Sequence, residues 1–424
     1  MDVKKEQLTE FLDSINCGGR YRLKRVVGKG SYGVVCEAED VRNGNQKVAI
    51  KRLNDAVSSR SIALRNLREL KILRHFRNVP NLISIQEVLI PANSEFNDVY
   101  VVMDFMPTDL YRLLRRDPLS PKHIKFFLFQ ILRGLAHLHA ARIFHRDLKP
   151  DNILVNSNCE VKICDFGMAR STFERQDYPL FTRYVAMLWY RAPELILCRK
   201  ENYSTAVDLW SVGCIFCEML DGGRPFFRGS DDMDQMALMA RYLGRPPDSV
   251  ISQIQNPELR QFVDAFQLEP REPMHTVFPQ LSDSGLDLLL RLLDYDPSNR
   301  ITAAEAIHHP FFKSYKMLIT EQDIPILPAE EFLFEERVRT AQEYRREFVE
   351  EIRHYHPDAD LSICIGRETH QSPFGGSQHQ ELPNAMSIDV GDQRLARSAV
   401  NLGRARPPTN KWQMSVPRPN TGTS

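Results

Sequence analysis

Two stretches far apart in the chain carry the residue types that handle phosphate. VVGKGSYGVV, at 26–35, places glycines at 28, 30 and 33. Glycines so spaced can also open the helix of a dinucleotide-binding turn, but here VVCEAED continues as an alternating strand. Gly28, Gly30 and Gly33 are therefore expected at a hairpin tip, where backbone lacking Cβ can approach a triphosphate closely. A Walker loop is excluded, because Gly33 is followed by Val34 and not by Lys-Ser/Thr. HRDLKPDNIL (145–154) followed by ICDFG (163–167) reads as a catalytic loop plus one metal-holding carboxylate. Between these stretches lie Lys51 of VAIK and Glu69 of NLRELKIL. Singly, the first would be a strand-edge lysine and the second an exposed helix residue. Together they suggest a pair, because a lysine in a cleft holds two phosphates only if a carboxylate orients it.

These residues need a scaffold that brings a hairpin, a helix and two loops to one place. From Tyr21 to Val102 apolar residues alternate or form short β-branched runs, interrupted by one helical stretch, RSIALRNLRELKILRHF. From Leu110 to Phe312 the apolar spacing is mostly three and four, which predicts a larger helical unit. The cleft between the two units is the expected binding site. Residues 329–353 combine Phe, Val and Ile with opposite charges at helical spacing, predicting one amphipathic helix packed on the body. Beyond His356 the composition turns to Gln, Ser, Gly, Pro and Arg, as in disordered tails.

With 424 residues, 42% of them hydrophobic and 26% charged, the chain can bury a large core. Lys plus Arg balances Asp plus Glu at 55 each, so no global field favours nucleic acid or an anionic membrane. Eight cysteines are scattered without zinc-type spacing, and the polar start MDVKKEQLTEFLDS lacks a signal-peptide core, so a reducing, intracellular setting is expected. The Cys214 and Cys217 pair lies in an apolar helical run and reads as core. No apolar run approaches the roughly 18 residues of a spanning helix, and no prenylation cysteine ends the chain; no membrane attachment is expected.

GxGxxGxV, VAIK, the helix glutamate, HRDLKPDN, DFG and APE occur in the order found in eukaryotic protein kinases, which the sequence resembles over about three quarters of its length. That resemblance implies an α+β, bilobal protein kinase fold, with a small β-rich N-lobe carrying one main helix and a larger helical C-lobe. The implied boundaries are an N-terminal extension over 1–20, a kinase domain over 21–312 (N-lobe about 21–106, C-lobe about 107–312), a C-terminal extension over 313–356 and a disordered tail over 357–424. The resemblance implies ATP and Mg2+, with Asp147 aligning the substrate hydroxyl, Lys149 neutralising the γ-phosphoryl oxygens, and Asn152 and Asp165 holding the metal. Met103 matches the gatekeeper, the backbone of Asp104 and Met106 the hinge that reads adenine, and Val35, Ala49 and Leu154 further ATP-binding positions. Glu194 of APE and Arg300 match the pair that anchors the activation segment.

The Thr182-Arg183-Tyr184 triplet resembles the Thr-x-Tyr switch of mitogen-activated protein kinases. DVYVVMDFMPTDLYRLLR and VDLWSVGCIFCEML agree with that family. The resemblance implies activation by phosphorylation of Thr182 and Tyr184, with Arg68, Arg146 and Arg170 receiving the first phosphate and Arg191 the second. It implies substrates with Ser/Thr-Pro sites, an upstream dual-specificity kinase or autophosphorylation, and phosphatases. A monomer in the cytoplasm is expected, with entry into the nucleus left open. NLRELKIL lacks a cyclin-binding pattern. Two departures stand out. Met187 and Leu188 occupy the places of a threonine that bridges Asp147 and Lys149 and an arginine that helps bind phosphotyrosine, which admits the alternative of a weakly active or scaffold-like homologue. The acidic docking cluster is thin, with only Glu321 and Asp323 before Glu330, whereas FLF at 332–334 is similar to the aromatic motif that folds the C-terminal extension toward the small lobe. Ser372-Pro373 is an autophosphorylation candidate weighed against an incidental dipeptide.

Overall fold

In the computed structural model, which describes residues 19–30, 33–172, 187–197, 204–267, 272–319, 325–337 and 340–365, the alternating N-terminal segments form one antiparallel sheet. Its order is β1-β2-β3-β5-β4, built from β1 (Tyr21–Gly30), β2 (Gly33–Asp40), β3 (Gln46–Leu53), β4 (Ile85–Val88) and β5 (Val99–Asp104). Period-two alternation gives each face its own core. Ala49, Leu53, Val101 and Met103 pack toward helix α1 (Arg60–His75), whereas Cys36, Ala38, Val48, Ile50 and Val102 form a separate outer cluster. Ser59 caps α1 by accepting from the Ile62 amide at 3.3 Å.

The helical unit is organised around α2 (Pro121–Ala140) and α3 (Ala206–Leu220), both lined with buried apolar residues. Helix α4 (Asp283–Leu292) packs on α3. Small strands sit at the junction of the two units: β6 (Thr108–Asp109), β7 (Ile143–Phe144), β8 (Ile153–Val155), β9 (Val161–Ile163) and β10 (Arg170–Ser171). The Ile83 amide donates to the Ile163 carbonyl at 2.9 Å, and the Ile163 amide to that of Asn81 at 2.8 Å. The segment leaving α1 is thereby sewn to β9, two residues before Asp165.

The C-terminal extension is ordered differently from the expectation. The single amphipathic helix foreseen over 329–353 is a 3-10 turn (Ala329–Phe332), a short α5 (Phe334–Arg337) and, separately, α6 (Ala341–Arg353). Thr340 opens α6 with a capping box to Glu343, a local start signal that competes with one continuous helix. Residues 357–365, expected to belong to a disordered tail, are structured: α7 (Ser362–Ile365) lies there, with Leu361 and Cys364 buried. Phe332 and Phe334 are buried. The extension meets α1 through shared apolar core and through charge: Lys71 reaches Glu351 at 2.8 Å, and Arg74 reaches Glu331 at 2.7 Å and Glu351 at 3.0 Å.

Among the described residues no helix is long and apolar enough to cross a membrane. Cys214 and Cys217 are buried free thiols, pushed well above the ordinary thiol range by burial, as their helical core reading requires.

Candidate active site

The glycine hairpin closes with Gly30 opposite Gly33. Two of its glycines serve different needs. Gly33 has φ +133°, and a Cβ there would lie 1.8 Å from the Arg52 carbonyl oxygen, so the backbone itself demands glycine. At Gly28 a Cβ would meet no atom of the described residues within 4 Å, which leaves space there for a ligand.

Register sets the rest of the N-lobe wall. Val35 pairs with Lys51 and Ala49 with Met103. The gatekeeper-position Met103 and the hinge Met106 are buried. Asp104 is fixed by Lys162 at 2.6 Å and by its amide donating to Ser84 O at 3.3 Å. Leu154 lies half-buried on β8 across the cleft. Lys51 Nζ donates to Glu69 Oε1 at 2.6 Å, joining β3 to α1. Burial works against the Lys51 ammonium, but Glu69 and Asp165 hold its pKa above the ordinary value.

Across the cleft, Lys149 Nζ donates to Asp147 Oδ2 at 2.6 Å, and Asn152 Nδ2 donates to the Asp147 carbonyl at 2.7 Å. Burial pushes the Asp147 carboxyl above its ordinary value against the pull of Lys149. Burial likewise opposes the Asp165 charge, but Lys51 and then Arg65 outweigh it and hold that carboxyl low. Asp165 has left-handed backbone, φ 65°, as has Arg146 at φ 69°. Such non-glycine strain persists only where the surroundings over-determine it.

Two contributors were not singled out in the sequence. Asp208, wholly buried on α3, accepts from the His145 and Arg146 amides at 2.8 and 2.9 Å and faces His139 Nε2 at 2.9 Å. It holds the turn that presents Asp147. In the VDLWSVGCIFCEML run nothing local marks that aspartate as a brace. Arg65, one helical turn before Glu69, places Nη2 3.1 Å from Asp165 Oδ1 and packs on Gly167, where a Cβ would fall 2.3 Å from its Nε. The arginine thus sits on the carboxylate expected to hold metal.

Of the expected phosphate receivers, Arg68, Arg146 and Arg170 gather on the carbonyls of residues 167–169, and all four are engaged. Arg68 pairs with Glu335 of α5 at 2.7 Å and donates to Gly167 O at 3.0 Å. Arg146 reaches Met168 O at 3.5 Å, and Arg170 reaches Ala169 O at 2.8 Å. Arg191 pairs with Asp232 at 3.3 Å. Arg68, expected with Arg146 and Arg170 to receive a phosphate on Thr182, and Arg191, expected to receive one on Tyr184, each have a carboxylate in place, supplied by elements distant in sequence. Thr182 and Tyr184 lie outside the described residues, as do Glu321, Asp323 and Ser372. Met187 is 42% exposed and precedes the 3-10 turn Leu188–Tyr190. Asp147 and Lys149 meet directly, so no side chain from position 187 stands between them. Arg300 grips Glu194 at 2.8 and 3.0 Å, the anchoring pair expected.

The arrangement fits magnesium–ATP. Asp165 and the amide oxygen of Asn152 are hard oxygen donors of the kind that ion takes, the Asn152 Nδ2 being committed to Asp147. Gly28 leaves room for phosphates, and two lysines face that volume from opposite walls. Among the described residues no group of three or more His, Cys, Asp and Glu is placed to hold a metal ion, so this donor set depends on the Asn152 amide and on oxygens the nucleotide would bring.

Comparison with known proteins agrees. The protein kinase domain family matches residues 21–312. Mitogen-activated protein kinase 9 of Arabidopsis thaliana is 39% identical over 415 residues, covering 97% of this chain and 79% of that relative. Mitogen-activated protein kinase 15 of the same plant is 42% identical over 434 residues (99% and 74%). Mitogen-activated protein kinase 15 of Oryza sativa subsp. japonica is 41% identical over 414 residues (97% and 81%). Across such plant relatives the chain spans from 60% to 81% of their length.

Proposed function

The chain belongs to the mitogen-activated protein kinase family and is a serine/threonine protein kinase of that type, and from this premise we propose how its residues divide the work. Protein kinases use ATP with magnesium; here Asp165 and Asn152 hold the metal, which when bound neutralises charge on the transferring phosphate. Lys51, kept in place by Glu69, binds the phosphates nearer the base, and Gly28 and Gly30 let the hairpin backbone close over them. Asp147 accepts the hydrogen bond of an incoming Ser or Thr hydroxyl and aligns it with the γ-phosphorus. Lys149 neutralises the γ-phosphoryl oxygens. Little covalent help is needed, so positioning and charge carry the rate enhancement.

The substrates proposed are proteins with Ser-Pro or Thr-Pro sites, met in the cytoplasm. The switch is phosphorylation of Thr182 and Tyr184 by an upstream kinase or by the chain itself, reversed by phosphatases. Each phosphate adds about −1.5 to −2 charge. A phosphothreonine at 182 outbids the single carboxylate of Glu335 for Arg68 and adds Arg146 and Arg170, tying α1 to the catalytic turn. Drawing α1 over in this way also moves Arg65, on the same helix, relative to Asp165.

One observation carries the reading: the Lys51–Glu69 pair, Asp165 and the Asp147–Lys149–Asn152 group come from four different segments and face one cleft. The test is transfer of labelled phosphate from magnesium–ATP to a Ser-Pro peptide by full-length protein phosphorylated at Thr182. Labelling far above an Asp147→Asn control, and lost on a Ser-Ala peptide, is expected; labelling no higher than that control overturns the proposal.

A further inference from the structure

On the C-lobe, away from the nucleotide cleft, a cavity of about 640 Å³ lies between the start of α2, the end of α3, the start of α4 and the 3-10 segment Pro310–Leu318. That volume is within the range of small-molecule sites. Its floor is apolar: Phe216, Met219, Leu281, Phe311 and Tyr315 face it.

The cavity's charge is one-sided. Lys122 and Lys125 line it, and among the described residues no acidic side chain does. Lys125 is half-buried, and its ammonium lies 5.0 Å from the Phe311 ring centre and 5.8 Å from that of Tyr315. Burial lowers its pKa with no opposing carboxylate in play. Among the described residues neither lysine forms an ion pair, whereas buried Lys71 and half-buried Arg74 are both matched by acids. A half-buried ammonium set against two aromatic rings with no acid beside it still carries part of its desolvation cost, and an anion placed there would relieve it.

The walls also discriminate between kinds of anion. Beyond the lysines, the polar side chains are Gln280, Ser282 and Ser314, and the Ser282 hydroxyl is already spent capping α4 at the Gly285 amide, 3.3 Å away. A peptide laid in this cavity would bury amides with few partners, at a cost for each. An alkyl chain would not.

We propose that this cavity is a binding site for a single-chain amphiphilic carboxylate, with its tail against Phe216, Met219 and Phe311 and its head at Lys125 and Lys122. The site is independent of phosphoryl transfer and of the activation reading above.

Full-length protein is titrated by calorimetry with octanoate, decanoate and dodecanoate below their micelle concentrations. Expected is one saturable site, an affinity that rises by up to about fourfold per methylene along the series, and a raised melting temperature. Lys125→Met, which keeps the aliphatic stem, weakens dodecanoate about tenfold or more, and dodecyltrimethylammonium, with the same tail and a cationic head, does not compete. The melting temperature of the unliganded variant reports its folding, and Lys122→Met is the second variant should the first be unstable. Absence of saturable binding, equal binding of both head groups, or unchanged affinity in the lysine variants overturns the proposal. So does capture of an acidic apolar peptide where dodecanoate fails.

Discussion

At Arg65 the structure departs most from an open catalytic site, because its guanidinium occupies the Asp165 carboxylate that a magnesium ion needs. Both charges are largely buried, so this competition is strong compared with a surface pair. Arg65→Ala is therefore expected to lower the magnesium concentration giving half-maximal activity of the protein not phosphorylated at Thr182, by several-fold; an unchanged magnesium dependence would rule out the competition. The glycine hairpin separates two roles in the same way. Gly33→Ala forces a Cβ against the Arg52 carbonyl at a positive φ and should cost about 1–3 kcal/mol of stability. Gly28→Ala meets no atom of the described residues and should leave unfolding unchanged while raising the KM for ATP. Parallel denaturant titrations and ATP kinetics on the two variants distinguish these outcomes.

Helix α1 is the element on which the site turns, since Arg65 and Glu69 face the cleft, Lys71 and Arg74 face the C-terminal extension, and Arg68 touches both Gly167 and Glu335. Removing Glu351 leaves Lys71 buried without its nearest counterion, so Glu351→Gln should destabilise the protein by about 3–5 kcal/mol. A loss below about 1 kcal/mol would show that Glu331 and Glu347 compensate. At α3, Asp208→Asn replaces a doubly used carboxylate behind the catalytic turn. It should reduce kcat with little change in ATP affinity, whereas an equal loss in both would mean the lobe has unfolded. These elements also mark how far the sequence can be read. Lys51, Glu69, Asp147, Asn152 and Asp165 are legible because each lies in a short motif whose spacing is set by local backbone. Arg65, Asp208 and Glu335 are not, because their roles come from partners between 62 and 267 residues away. The break before α6 was missed for the opposite reason: helical periodicity ran through it, while the Thr340–Glu343 box that restarts the helix is a local signal that could have been weighed.

Across the whole molecule, the two lobes and the extension are joined by buried charge as well as by apolar core, and this gives stability a pH dependence. Burial, with Asp151 adding to it, raises Glu218 from an ordinary value of 4.5 to about 7, although Tyr190 donates to it at 2.6 Å. The folded state therefore holds this proton more tightly than the unfolded chain. The resulting stabilisation is complete below about pH 4.5 and is lost as pH rises to about 7. Relative to Glu218→Gln, the natural protein should lose stability across that window; parallel denaturation midpoints at every pH would contradict the assignment. The most direct test of the account as a whole is ATP binding measured by calorimetry with and without magnesium, for the natural protein and for Asp165→Ala. If Lys51, Asn152 and Asp165 converge on one nucleotide, magnesium tightens ATP binding by about tenfold or more in the natural protein and not in the variant. An equal magnesium response in both would contradict it.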